Sequence, residues 1–180
     1  MAAPIPLPDD VLYRMEAQLT DSVPIGVLPE GLRVDNAFEG TLTDGALAGA
    51  TVRGIDYYLI RPDGVGIVDA REVIVSEWGA VAATARGFVL PPPGLEIPPL
   101  GLLLSPGFTW PDLPFAIHVF QTFTAAAPEL AWLNRTVVSH LGSVNYATRQ
   151  LAIEARVLRP SQPSPGRRDA TLTGVTTAGP

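Results

Sequence analysis

Four residues in the stretch GIDYYLIRPDGVGIVDAREV, Gly54 to Val73, have types and spacing that could do chemistry: Asp56, Tyr58, Asp69 and Arg71. They supply two carboxylates, a phenol and a guanidinium within one expected hairpin. Asp63-Gly64 is a signal for a two-residue type I′ turn, in which both central positions need positive φ. A hairpin closed on those two residues sets Asp56 opposite Arg71 and Tyr58 opposite Asp69. All four then share one face, because residues two apart on a strand point the same way. Directly opposed side chains have Cβ atoms about 5 Å apart. A four-residue loop changes the partners and keeps the face; a bulged three-residue loop would break the pairing. The same face carries Ile60, Ile67, Val73 and Val75, and charges framed by apolar residues suit a pocket floor. The competing reading is an exterior ladder, in which Asp56–Arg71 is a surface ion pair worth about 0–1 kcal/mol.

The chemistry expected of such a patch is proton transfer. Partial burial raises a carboxyl pKa and a guanidinium lowers it, so Asp69 beside Arg71 could be tuned to take a proton from a weakly acidic carbon or hydroxyl. Arg71 could stabilise a developing oxyanion, and Tyr58 could donate a proton to the same substrate. Asp56 is expected to bind substrate beside them. His118 alternates with Phe120 and Thr122 on a later strand. A lone strand histidine is more often a hydrogen-bonded core or surface residue, but its ordinary pKa suits acid–base work near neutrality. It is expected to reach the same cavity, with Phe120 beside it. His140 ends a strand next to Gly142 and is expected to be exposed. Trp110, Trp132 and Asn134 complete the candidate binding residues. Trp132 also reads as the core anchor of a short helix, and Asn134 as either its cap or a donor to a ligand carbonyl.

Composition removes several alternatives. The 180-residue chain has a net charge of −6 and a pI near 4.8, unlike a nucleic-acid binder with its basic face. All 12 basic residues are arginine, which excludes Schiff-base lysines and a P-loop. Without cysteine there is no disulfide, thiol nucleophile or thiolate metal site. Two isolated histidines argue against a histidine-rich metal centre, and no cofactor or metal is expected. The opening MAAPIPLPDD lacks the basic and apolar regions of a signal peptide. No apolar run is long enough to span a bilayer. A cytoplasmic protein without membrane association is expected.

The elements that must position these residues are strands. Alternation marks Val11 to Thr20, Gly31 to Thr43, Ala50 to Ile60, Val65 to Trp78, Ala80 to Val89, Phe115 to Thr124, Arg135 to Leu141 and Leu151 to Val157. Pro128 to Leu133 reads as one short helix. About eight strands at hairpin spacing predict an all-β fold, a single antiparallel sandwich or closed barrel spanning residues 1–159, with closure favoured because it removes exposed edges. Residues 90–114 form a long Pro- and Leu-rich connection. Such a loop is expected to be a lid over the barrel mouth, or else the cover of an apolar patch or dimer surface in a homo-oligomer. The Ser-, Thr-, Pro- and Gly-rich residues 160–180 read as a disordered tail.

These residues also carry a family pattern. Phe38-Glu39-Gly40, Gly54-Ile55-Asp56, Arg61-Pro62-Asp63-Gly64, Val68-Asp69-Ala70-Arg71 and Trp132-Leu133-Asn134 occur in order. From Leu12 to Leu158 the chain resembles the domain of unknown function 3237 family. The resemblance implies a small calycin- or lipocalin-like β-barrel and no settled activity. Glu72 stands where the family has an aromatic residue, His118 where it has arginine and Thr124 where it has an acid. An insertion lies between Gly40 and Asp56. Together the residues and the resemblance predict a small-molecule-binding barrel. The expected activity is a cofactor-independent cyclase, dehydratase or isomerase of secondary metabolism, acting on an apolar oxygenated molecule. The alternative is a carrier or sensor without catalysis.

Overall fold

The computed structural model describes residues 11–158; the expected C-terminal tail lies outside them. Eight strands close an antiparallel barrel in sequence order. They are β1 (Val11–Leu28), β2 (Gly31–Gly45), β3 (Thr51–Ile60), β4 (Gly66–Ser76), β5 (Gly79–Leu90), β6 (Phe115–Ala125), β7 (Val137–Asn145) and β8 (Gln150–Val157). The final pairing is β8 with β1, from Val11↔Arg156 to Gln18↔Gln150. All eight strands expected from alternation are present. The cause is the period-2 pattern itself: on β6, Phe115, Ile117, Val119, Gln121, Phe123 and Ala125 are buried and every residue between them is exposed. Among the described residues no helix is long and apolar enough to cross a membrane.

The two ends of the barrel differ. One end is filled. A 3₁₀ helix, Pro128–Arg135, follows β6 and places Leu130 and Leu133 at 0% exposure. Leu12, Leu42, Leu47, Ile74, Val81 and Val138 are likewise fully buried, at positions where these strands approach the same end. The other end holds the β1–β2, β3–β4 and β7–β8 turns and the connection after β5. That connection contains a short 3₁₀ helix, Leu100–Leu104, with no buried residue of its own. Its neighbours Leu95, Ile97 and Trp110 pack on the core.

The β3–β4 turn decides which residues face inward, and it is not the two-residue turn the sequence suggests. Arg61 N–H bonds the Val65 carbonyl at 2.9 Å, and Gly64 N–H bonds the Arg61 carbonyl at 2.9 Å. The loop is therefore the three residues Pro62, Asp63 and Gly64, with Gly64 at φ +82°. Pro62 explains it. Its fixed φ fits the second position of a type I turn over Arg61–Gly64, which then needs a left-handed closing residue. The register moves by one place, pairing Asp56 with Ala70 and Leu59 with Ile67. A one-residue slip exchanges the two faces of a strand.

Candidate functional site

The register shift corrects the expected patch. Asp56 and Tyr58 stay on the inner face of β3, while Asp69 and Arg71 move to the outside of β4. There Asp69 bonds Arg71 and, at 3.1 Å, Arg86 across the β4–β5 pair. The side chains of Asp69 and Arg71 are 39% and 44% exposed. Desolvation is the largest single influence on Asp69 and pushes it upward, but the hydrogen bonds and charges of Arg71 and Arg86 together outweigh it and hold the carboxyl below its ordinary value. This is a solvated ionic ladder on the outer wall. The apolar neighbours Val73 and Val75 on that face are themselves exposed.

Two more expectations fail for the same reason, a wrong face. His118 is exposed on β6, and Phe120 is 60% exposed beside it. With strict alternation only one β6 face can meet the core, and Ile117, Val119 and Phe123 claim it. His140, expected outside, is 2% exposed inside the barrel. Trp132 and Asn134 lie at the filled end, away from the mouth. Trp132 packs on the core, and its Nε1 is the one buried side-chain polar atom without a hydrogen-bond partner among the described residues. Asn134 accepts from Ala125 N–H at 2.7 Å and donates to the Ala125 carbonyl at 2.9 Å, tying the 3₁₀ helix to the end of β6. Trp110 does reach the mouth.

What the strands bring together is an apolar cavity of about 60 Å³ with a few polar groups. Met15, Leu19, Val68 and Ile117 are among its apolar lining, and Asn36, Asp56, Glu72, His140 and Tyr146 are its polar lining. Small residues on adjoining strands, Ala70 and Ala85, leave the space open. Leu19, Asn36 and Tyr146 also line a wider cavity of about 290 Å³, which continues to the mouth past Tyr58, Leu103, Leu104 and Trp110. Tyr58 needs a bare backbone beneath it: a Cβ on Gly66 would overlap its hydroxyl.

Asp56 and Glu72 are diagonal neighbours on the inner face, since Asp56 pairs with Ala70 and Glu72 pairs with Gly54. Their Cβ atoms are thus roughly 7 Å apart. No described arginine lines the inner cavity, and the chain has no lysine. Burial raises both carboxyls, and the charge of Arg33 lowers Asp56 again only in part. Asp56 reaches about 7, chiefly by desolvation and partly offset by the Asp69 backbone N–H, which bonds its Oδ1 at 2.9 Å. Glu72 also reaches about 7 by desolvation, opposed by a hydrogen bond from Gln121 and raised further by the charge of Asp56. Desolvation pushes the Tyr58 phenol upward, so it stays protonated at neutral pH.

A hydrogen-bonded chain stands behind Glu72. Gln121 Nε2 donates to Glu72 Oε1. Tyr13 donates to Gln121 Oε1 at 2.6 Å and lies 2.8 Å from His140 Nε2. With the Tyr13 proton committed to Gln121, His140 must donate through Nε2–H. Burial lowers His140 to about 3, so its imidazole is neutral. The sequence held signals for this set. Glu72 is one of the departures that the resemblance marks, and Gln121 is a polar residue on an otherwise apolar strand face.

The fold and site define a class: a closed eight-stranded antiparallel barrel whose interior is compatible with small-molecule binding. A family model described as "Protein of unknown function (DUF3237)" matches residues 10–158, and the chain belongs to that family. No curated protein matches it. A β-barrel-like protein from Acinetobacter baumannii AYE is similar at 19% identity and TM-score 0.63, over 88% of this chain and 100% of that one. A conserved protein of unknown function from Rhodopseudomonas palustris gives 18% and 0.61 over 86% and 99% of the two chains. One from Clostridium acetobutylicum ATCC 824 gives 18% and 0.66 over 84% and 99%. These likenesses establish the fold.

Proposed function

We propose that this barrel is a cofactor-independent enzyme that moves a proton on an apolar, oxygenated small molecule, with isomerisation the simplest outcome. The observation that carries the reading is Asp56. It is a carboxyl raised to about 7 that faces an apolar cavity. A carboxylate in that state can take a proton from an activated C–H or O–H and return it at a neighbouring atom, which balances an isomerisation without a second reactant. Tyr58, kept neutral, supplies a hydrogen bond to the substrate oxygen where negative charge develops. Residues 90–114 act as the lid, with Leu103, Leu104 and Trp110 holding the apolar body of the substrate and limiting water. Positioning in such a cavity can contribute several kcal/mol to the rate.

The test begins with native mass spectrometry of freshly purified protein, to identify a molecule carried through purification. That molecule is then incubated with protein in deuterium oxide. The reading expects deuterium incorporation or an isomer with wild type, and a loss of at least about a hundredfold in Asp56→Asn. A molecule that is retained unaltered and exchanges no proton would instead identify a carrier.

A further inference from the structure

The proton-transfer reading uses Asp56 and Tyr58 and leaves Glu72 without a task. Glu72 is 6% exposed and lines the inner cavity one layer deeper than Asp56. Its Oε1 takes the Gln121 amide, and no other side-chain hydrogen bond reaches the carboxyl among the described residues. A carboxyl at such depth ordinarily has a cationic partner. None is present among the described residues: no described arginine lines this cavity, the chain has no lysine, and the imidazole of His140 is neutral.

One wall beside Glu72 is aromatic. A Cβ built on Gly54 would lie 2.7 Å from Phe38 Cζ and 2.8 Å from Glu72 Cβ, so ring and carboxyl stem converge over bare backbone. Phe38 and Tyr146 both line the cavity. Tyr146 in turn packs against Trp110 and Phe115, each with ring centroids 5.1 Å away. A carboxylate with an aromatic ring beside it is chemistry that recognises an organic ammonium, through charge pairing and cation–π attraction together.

We propose that the barrel takes a primary or methylated amine on an apolar body, with its charged nitrogen at Glu72 beside Phe38 and its body directed toward Tyr146 and the mouth. The inner cavity has room for a small head group and the wider mouth cavity for the body. This inference rests on small-molecule binding in the barrel, as the proposed function does, but it requires no proton transfer.

Calorimetry on the full chain at about pH 8, where a carboxyl of this kind is ionised, tests it with three probes of one shape: hexylamine, hexan-1-ol and hexanoate. Hexylamine should bind roughly tenfold or more tightly than hexan-1-ol, with hexanoate weakest. Glu72→Gln should erase the preference while changing hexan-1-ol affinity by less than about twofold, and Asp69→Asn on the outer wall should change nothing. Should Glu72→Gln fail to fold, Phe38→Leu serves instead and should lower hexylamine affinity selectively. Binding of no probe, equal binding of all three, or a preference that survives in these variants overturns the proposal. A hexylamine preference in a protein whose Asp56→Asn variant still exchanges protons on its co-purified molecule would sustain this inference and end the proton-transfer reading. Proton exchange on a neutral molecule, without the amine preference, would do the reverse.

Discussion

Asp56 and Glu72 differ from Asp69 in one respect that governs their chemistry, the side of the wall on which they stand. All three carboxyls belong to one hairpin. Asp69 has two arginine partners in solvent, whereas the inner pair is buried and neither member makes an ion pair among the described residues. Arg71→Ala should accordingly lower stability by under about 1 kcal/mol, because it removes one partner of an exposed ion pair and leaves Arg86 in place. Comparing urea midpoints of variant and wild type checks this; a loss of 3 kcal/mol or more, the size expected for a buried pair, would mean the ladder is not solvated. The residue types of the site were legible in sequence, since Asp56, Tyr58 and Trp110 were identifiable as candidates. Their partners were not. Gln121, Tyr13 and His140 come from three other strands, and nothing local announces that they meet. His140 reads as a strand-end residue because Gly142 suggests a stop, but β7 continues past that glycine to Asn145.

At the scale of elements, alternation carried most of the information, and the turns decided what it meant. Eight strands follow from period-2 patterning, but which face of β4 is inner depends on a single loop residue. Asp63-Gly64 resembles a two-residue turn; Pro62 makes it three by fixing the φ that opens a type I turn. The filled end shows the opposite case, where one side chain secures an element with little intrinsic stability. The Pro128–Arg135 helix is a short 3₁₀ segment, a geometry with poor hydrogen bonds, yet it must cap the core with Leu130 and Leu133. Asn134 holds it by bonding both backbone groups of Ala125. Asn134→Ala should therefore cost about 1–3 kcal/mol, as two backbone groups at a largely buried residue lose their partners. Thermal unfolding followed by circular dichroism measures it, and a change below about 0.5 kcal/mol would show that the helix is held by Leu130 and Leu133 alone. The family resemblance supplied the barrel class correctly, and the family model covers residues 10–158.

For the whole molecule, closure creates both the cavity and its cost. A barrel has no exposed edge, and its interior sits in a low dielectric that penalises every charge placed there. This barrel keeps two carboxyls inside and sends its described arginines to the outer wall or the rim, so its stability must depend on pH with a definite sign. A carboxyl whose folded-state pKa is raised binds its proton more tightly when folded. Its contribution is fully present below the unfolded value near 4, declines as pH rises, and is gone above the folded value of about 7. Exposed carboxyls paired with arginine, such as Asp69 and Glu154, act in the opposite direction at lower pH. The central claim is that Asp56 and Glu72 are buried acids without an ion-pair partner among the described residues, and their titration tests it most directly. Side-chain carboxyl carbon NMR, assigned with Asp56→Asn and Glu72→Gln, should place both midpoints near 7 and accompany a fall in unfolding midpoint from about pH 4 to about pH 7. Midpoints near 4 for both groups would contradict the account, because the carboxyls would then be solvated or paired and the cavity would lack its acid.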